Sequence, residues 1–193
     1  MDFIKMHGLG NDFVFLDHFS VTPEGDMDYP ELAKKLCHRQ FGIGGDGLIV
    51  ILPSKIADAR MRIINSDGSE PEMCGNGIRC FARYVYDQGI VKHNPMHVET
   101  LAGVLPIQLK IIEGEVQGVR VDMGEPILKA DLIPVLGKGE PVVGETLEVL
   151  EETFQYTAVS MGNPHCVIFV EDYARLDFER LGPAIEKAFF VSP

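Results

Sequence analysis

The chain has 193 residues, and 17 Lys+Arg against 29 Asp+Glu give a formal net charge of −12, which leaves no electrostatic footprint for nucleic acid or an anionic membrane. A hydrophobic share of 46% with 24% charged residues is globular composition, long enough for one large or two small domains with a real core. Apolar runs such as residues 47–53 are too short to cross a bilayer, and the start MDFIKMHGLGND lacks the basic and apolar regions of a secretion signal, so a cytoplasmic chain is expected.

Residues 2–7 and 12–17 read as paired strands around the turn Gly8-Leu9-Gly10-Asn11. A helix is predicted over 30–38, with Asp28 as N-cap and Glu31 three residues later. The stretch Gly42-Ile43-Gly44-Gly45-Asp46-Gly47 fits GxGxxG. It follows a helix and opens a strand over 48–52, the reverse of the dinucleotide-binding context, so it reads as a glycine-rich turn. A strand over 60–65 precedes a second helix from near Gly75, where Ile78, Phe81, Ala82 and Val85 recur at i, i+3, i+4 and i+7. From 96 to 122, strand-like segments alternate with turns expected at Gly103, Gly114 and Gly118. A domain boundary is placed near the last, giving residues 1–117 and 118–193. Pro126, Pro134 and Pro141 mark 124–144 as loop-rich. Strands over 156–160 and 166–170 follow, then a helix carrying Leu181, Ala184, Ile185, Ala188 and Phe189, with Pro183 suited to its first turn. The fold class is α+β.

Leu9-Gly10-Asn11-Asp12-Phe13-Val14-Phe15 recurs loosely as Met161-Gly162-Asn163-Pro164-His165-Cys166-Val167, an offset of about 152 residues. In each copy a Gly-Asn turn leads into a strand and later a helix, the pattern of two similar domains. Short Gly-Asn turns before strands are common, so coincidence is the competing reading.

Four cysteines without a CxxC pair are too few for a disulfide scaffold, and free thiols are expected. No histidine pair has ligand spacing with a cysteine cluster, so no metal is expected. The chemically informative stretch is Asn65 to Arg79, NSDGSEPEMCGNGIR. It puts Cys74 at a helix N-terminus, where unpaired N–H groups and the positive dipole end favour a thiolate. The amides of Gly75 and Asn76 are candidates to hold a substrate carboxylate, and a thiolate beside that cradle is placed to remove a proton from the adjacent carbon. The plainer reading of Cys74 is a small buried residue. Cys37, Cys80 and Cys166 sit in apolar periodicity and read as core. A Cys74–His165 nucleophile pair is the hydrolase alternative. Asn11, Asn65, Asn76 and Asn163 all fall at strand ends or tight turns. That fits tolerance of left-handed backbone, and it also fits recognition of a zwitterion.

With these residues in place, the chain resembles the diaminopimelate epimerase family, cofactor-independent amino-acid epimerases of lysine synthesis. Asn65 to Arg79 matches the signature NxDGSxxxxCGN[GA]xR at every fixed position, and KMHGLGNDF, GIGGDG and MGNPHCV follow the family in order, so the resemblance runs from residue 1 to about 185. It implies two pseudo-symmetric domains, each a curved sheet around a helix, with the active site between them. It also implies interconversion of LL- and meso-diaminopimelate by two thiols on opposite faces of the α-carbon, without cofactor or metal. Carried over by motif, Cys74 is one acid/base and Gly75 and Asn76 bind the reacting carboxylate. Asn11, Asn65 and Asn163 bind substrate, and His165 supports the catalytic arrangement. The complete enzyme is expected to be a homodimer, with a small-molecule substrate and no nucleic-acid or membrane partner. The family's second cysteine, in an ACGTG-type motif after a Glu-Arg pair, has no counterpart here. The internal offset places it near about residue 226, and a further family asparagine beyond the third helix is missing, the terminal FFVSP not continuing the pattern. The expectation is a truncated epimerase with an incomplete second domain, unable to invert its substrate alone. A proline racemase or phenazine-type isomerase, and a non-catalytic amino-acid-binding remnant, are the alternatives.

Overall fold

In the computed structural model, residues 2–19, 25–133, 135 and 141–189 are described. They fall into two units, Met1–Asp122 and Met123–Pro193.

The first unit is a seven-stranded sheet whose strands lie in chain order: β1 (Ile4–Gly8), β2 (Asn11–Asp17), β3 (Gly47–Leu52), β4 (Ala59–Asn65), β5 (Met96–Thr100), β6 (Gly103–Ile112) and β7 (Glu115–Val121). The pairs β2/β3 and β4/β5 are parallel and the others antiparallel. Parallel neighbours need a crossover, and each crossover here carries a helix: α1 (Tyr29–Leu36) between β2 and β3, and α2 (Gly75–Asp87) between β4 and β5.

The two helices cover opposite faces. Phe13, Phe15, Ile49 and Ile51 pack in one core with Ile78, Phe81 and Val85 of α2, while Val14, Leu16, Leu48 and Val50 pack in another with Tyr29 and Ala33 of α1. Burial on both faces is why β3 reads as an unbroken apolar run rather than an alternation. The predicted stripe Ile78, Phe81, Ala82 and Val85 is fully buried, and each of its large members contributes about 1.5–3 kcal/mol by leaving water. α1 starts where expected, with Asp28 Oδ1 accepting from the Glu31 amide at 3.0 Å.

Two expectations for this unit meet a different structure. Gly118 is not a turn. It lies inside β7, paired with Lys110, and the register slips in the next pair, Ile111 with Val116, so the glycine marks a bulge. The division between units falls after Asp122, past the end of β7, whereas a cut at 117/118 passes through that strand.

The second unit holds β8 (Glu145–Val149), β9 (Glu152–Ser160) and β10 (Pro164–Ile168) in the antiparallel order β10-β9-β8, with α3 (Phe178–Phe189) packed on β8. Tyr156, Ala158, Val142, Ile133 and Phe189 form its core, and the Tyr156 and Phe189 rings meet edge to face at 5.3 Å. Pro183 sits in the middle of α3, not its first turn. The helix begins earlier because Asp177 Oδ1 accepts from the Arg180 amide at 3.2 Å, and the proline leaves the Glu179 carbonyl without its in-helix donor. Pro134 and residues 136–140 of the proline-rich stretch, and residues 190–193, lie outside the described residues.

Both units contain a hairpin followed by a helix. The hairpins β1–β2 and β9–β10 turn on Gly10 (φ +89°) and Gly162 (φ +104°), each followed by asparagine. The sequence offset maps α3 onto roughly 26–37, bracketing α1. The turns differ by one residue: Gly8 pairs with Asn11 in one, Ser160 with Pro164 in the other. No helix among the described residues is long and apolar enough to cross a membrane.

Candidate active site

In the first unit, strand register gathers the expected residues at one end of the sheet. Phe13 of β2 lies opposite Gly47 of β3, which lies opposite Asn65 of β4, so Asn11, Gly47 and Asn65 share that end. Past Asn65 the chain turns: the Gly68 amide donates to the Asn65 carbonyl at 2.9 Å, and the Asn65 amide to the Ser69 carbonyl at 2.8 Å. Gly68 takes φ +89°, a left-handed conformation suited to glycine. The acidic stretch then returns to Cys74, the N-cap of α2, with extended backbone (φ −140°, ψ 113°). Gly8 lets β1 approach this turn closely, since a Cβ there would lie 3.2 Å from the Asn76 carbonyl oxygen.

Cys74 Sγ accepts from the Gly77 amide at 3.5 Å and lies 3.9 Å from Asn11 Nδ2. Both donors and the N-terminal end of α2 face that half-buried sulfur. The amides of Gly75 and Asn76 have no acceptor among the described residues, as expected of a helix first turn, and they stand ready for a carboxylate. Asn76 Oδ1 accepts from Arg79 Nη2, tying that side chain to its own helix. The remaining thiols are of another kind. Burial, with Asp12 and Asp46 adding to it, pushes Cys37 up to about 11; burial alone pushes Cys166 up to about 11; burial also raises Cys80.

Asn11, Asn65, Cys74, Gly75 and Asn76 thus belong to one unit. Asn163 and His165 belong to the other, at the β9–β10 turn, where both are exposed and His165 Nε2 lies 3.2 Å from Asn163 Oδ1. Among the described residues, no three His, Cys, Asp or Glu side chains are grouped as metal ligands.

Sequence reasoning missed the charged clamp beside Asn11. Asp12 and Asp46 exchange bonds, the Asp12 amide donating to Asp46 Oδ2 at 3.0 Å and the Asp46 amide to the Asp12 carbonyl at 2.7 Å. Arg39 grips both carboxylates, at 2.9 Å and 2.8 Å, and Lys5 reaches Asp12 at 3.0 Å. The Arg39 guanidinium holds the Asp12 carboxyl well below the usual carboxylate range, with Lys5 adding to it. No local pattern announces partners that lie 27 and 34 residues away in the chain. The Gly42–Gly47 loop brings them there, and Gly42 has to be glycine, because a Cβ would fall 2.2 Å from the Lys35 carbonyl oxygen.

The family model for diaminopimelate epimerase matches residues 3–129. The chain is a member of the diaminopimelate epimerase family. A relative named diaminopimelate epimerase from Desulfitobacterium hafniense is 72% identical over 187 residues, covering 97% of this chain and 66% of the relative. The chain spans about two thirds of the length of the curated relatives it matches. Among solved structures, a phenazine biosynthesis protein of the PhzF family from Bacillus anthracis aligns with a TM-score of 0.61 at 21% identity, over 97% of this chain and 64% of that one. A probable proline racemase from Agrobacterium radiobacter, solved with bound carbonate, aligns with a TM-score of 0.64 at 16% identity, over 93% and 52%. These two likenesses show the α+β fold. Within the diaminopimelate epimerase family signature, the first unit sets a hydrogen-bonded thiol beside a row of open amides, an arrangement fit for moving a proton next to a carboxylate.

Proposed function

We propose that this chain carries the first-thiol half of a cofactor-independent epimerase acting on LL- and meso-diaminopimelate. The observation that carries the reading is Cys74 as N-cap of α2, its sulfur receiving the Gly77 amide while the Gly75 and Asn76 amides stay open. Membership of the family and the naming of its relatives supply the substrate.

In the proposed step the Cys74 thiolate takes the α-proton, and the electron pair left on the carbon spreads into the carboxylate. The open amides stabilise that charge as it forms. Return of the proton from Cys74 restores the original configuration, whereas delivery from a second thiol on the far face inverts it. Asn11 and Asn65 are assigned to substrate binding from the first unit and Asn163 from the second, with His165 supporting the catalytic arrangement. A cytoplasmic homodimer is the setting that the family resemblance implies.

Incubation of the 193-residue polypeptide with meso- or LL-diaminopimelate in heavy water tests the proposal. Deuterium should enter the α-position without inversion, and Cys74→Ala should abolish it. Brisk inversion by this polypeptide overturns the need for a second thiol, and undiminished exchange in Cys74→Ala overturns the assignment of the base.

A further inference from the structure

Asn65 is followed by a short hydrogen-bond chain that the signature spells out without explaining. Asn65 Nδ2 is 2.9 Å from Ser69 Oγ; Ser69 Oγ is 2.6 Å from Asp67 Oδ1; and the Ser69 amide donates to the same Asp67 oxygen at 2.8 Å. We propose that Asp67 and Ser69 are positioning residues that fix the amide of Asn65 with its oxygen turned outward as a hydrogen-bond acceptor.

Proton counting settles the direction. An ionised carboxylate only accepts, so the single hydroxyl proton of Ser69 is committed to Asp67. Ser69 Oγ is then left with lone pairs alone, and the group facing it from Asn65 has to be the NH2 end. Amide orientation is often ambiguous, but a one-way chain that ends on a carboxylate removes the ambiguity. Asp67 is ionised through the physiological range, since the Ser69 hydroxyl and amide bonds hold its carboxyl below the ordinary value. Asn65 Oδ1 accepts no bond among the described residues, and Asn65 closes β4 at the sheet end shared with Asn11. An outward acceptor there takes a donor from the ligand, and an ammonium group is the donor that a zwitterionic substrate offers. This consequence rests on the epimerase reading, whereas the orientation of Asn65 does not.

Two measurements on the 193-residue polypeptide keep those parts separate. In the first, water exchange of the Asn65 side-chain amide protons is followed by NMR, the signals being identified by their loss in Asn65→Asp. The proton facing Ser69 should exchange several-fold more slowly than its partner. Ser69→Ala and Asp67→Ala should erase the difference, and Ser69→Thr should keep it. In the second, affinity is measured for diaminopimelate and for pimelate, which has the same carboxylates and no ammonium. Ser69→Ala should weaken diaminopimelate roughly five- to tenfold and leave pimelate unchanged. An Asn65 exchange pattern indifferent to Ser69→Ala overturns the proposal, as does equal weakening of both acids. Wild-type protein that binds neither acid overturns the epimerase reading, and the amide exchange then decides the orientation by itself.

Discussion

Cys74 and Cys80 lie six residues apart on or beside one helix, yet their surroundings differ. Cys74 caps α2 with amide donors at its sulfur, while Cys80 is buried in the core and its thiol is pushed up by that burial. Cys74→Ala should therefore remove heavy-water exchange. Cys80→Ala should keep exchange and cost about 1 kcal/mol in denaturant unfolding; the reverse pattern would misplace the base. Acid should act through Asp12, Asp67 and Glu70, whose carboxyls are held below their usual values by Arg39, Ser69 and Arg62 respectively. Their folded values are lowered, so their stabilisation is complete above the unfolded values, about 4, and is lost as pH falls below them. Urea midpoints should drop between pH 6 and pH 3, and Arg39→Ala should flatten that drop while lowering the midpoint at pH 6. At this scale the sequence was only partly legible. Cys74, Gly75 and Asn76 announce themselves within one motif, whereas the Arg39 clamp joins residues that only the folded loop brings together. Ser69 and Asp67 lay in plain view beside Asn65, but the direction of their bonds needs the geometry.

Among the elements, those with a local signal were readable. α1 has Asp28 ahead of Tyr29 and Pro30, and the structure places that carboxylate on the Glu31 amide. Asp28→Ala should cost about 1 kcal/mol and lower the melting temperature, while Asp28→Ser should recover most of the loss; circular dichroism melts of the three proteins would check it. α2 was readable from its apolar period and its glycine-flanked start. β8 was not, because Glu145-Thr146-Leu147-Glu148-Val149 is short and carries two glutamates, and its pairing with β9 is what makes it a strand. Gly118 and Pro183 misled for a related reason. Each is a local breaker by composition, but pairing with β6 accommodates the first as a bulge, and Asp177 starts α3 well before the second.

For the molecule as a whole, the two units were legible through the repeated Gly-Asn hairpin, while the position of their division was not, since β7 continues through Gly118 by pairing with β6. Each unit carries its own core. Both apolar clusters around α1 and α2 are drawn entirely from residues before Asp122, and the third entirely from residues after Met123. A polypeptide ending at Asp122 should consequently fold by itself, with dispersed NMR signals and a single cooperative urea transition; a spectrum of a collapsed, unstructured chain would refute this. The strand walled in on both faces, β3, sets a hierarchy of motion within that unit. Leu48, Ile49, Val50 and Ile51 have no solvent exposure and belong alternately to the two cores, so their amides meet solvent only when both cores open together. They should be the last in the unit to trade hydrogen for deuterium in the native protein, long after α1 and the β1–β2 turn have done so. The glycine that begins this slowest strand lies at the sheet end where Asn11 and Asn65 are held, so the proposed chemistry is anchored to the most persistent part of the unit.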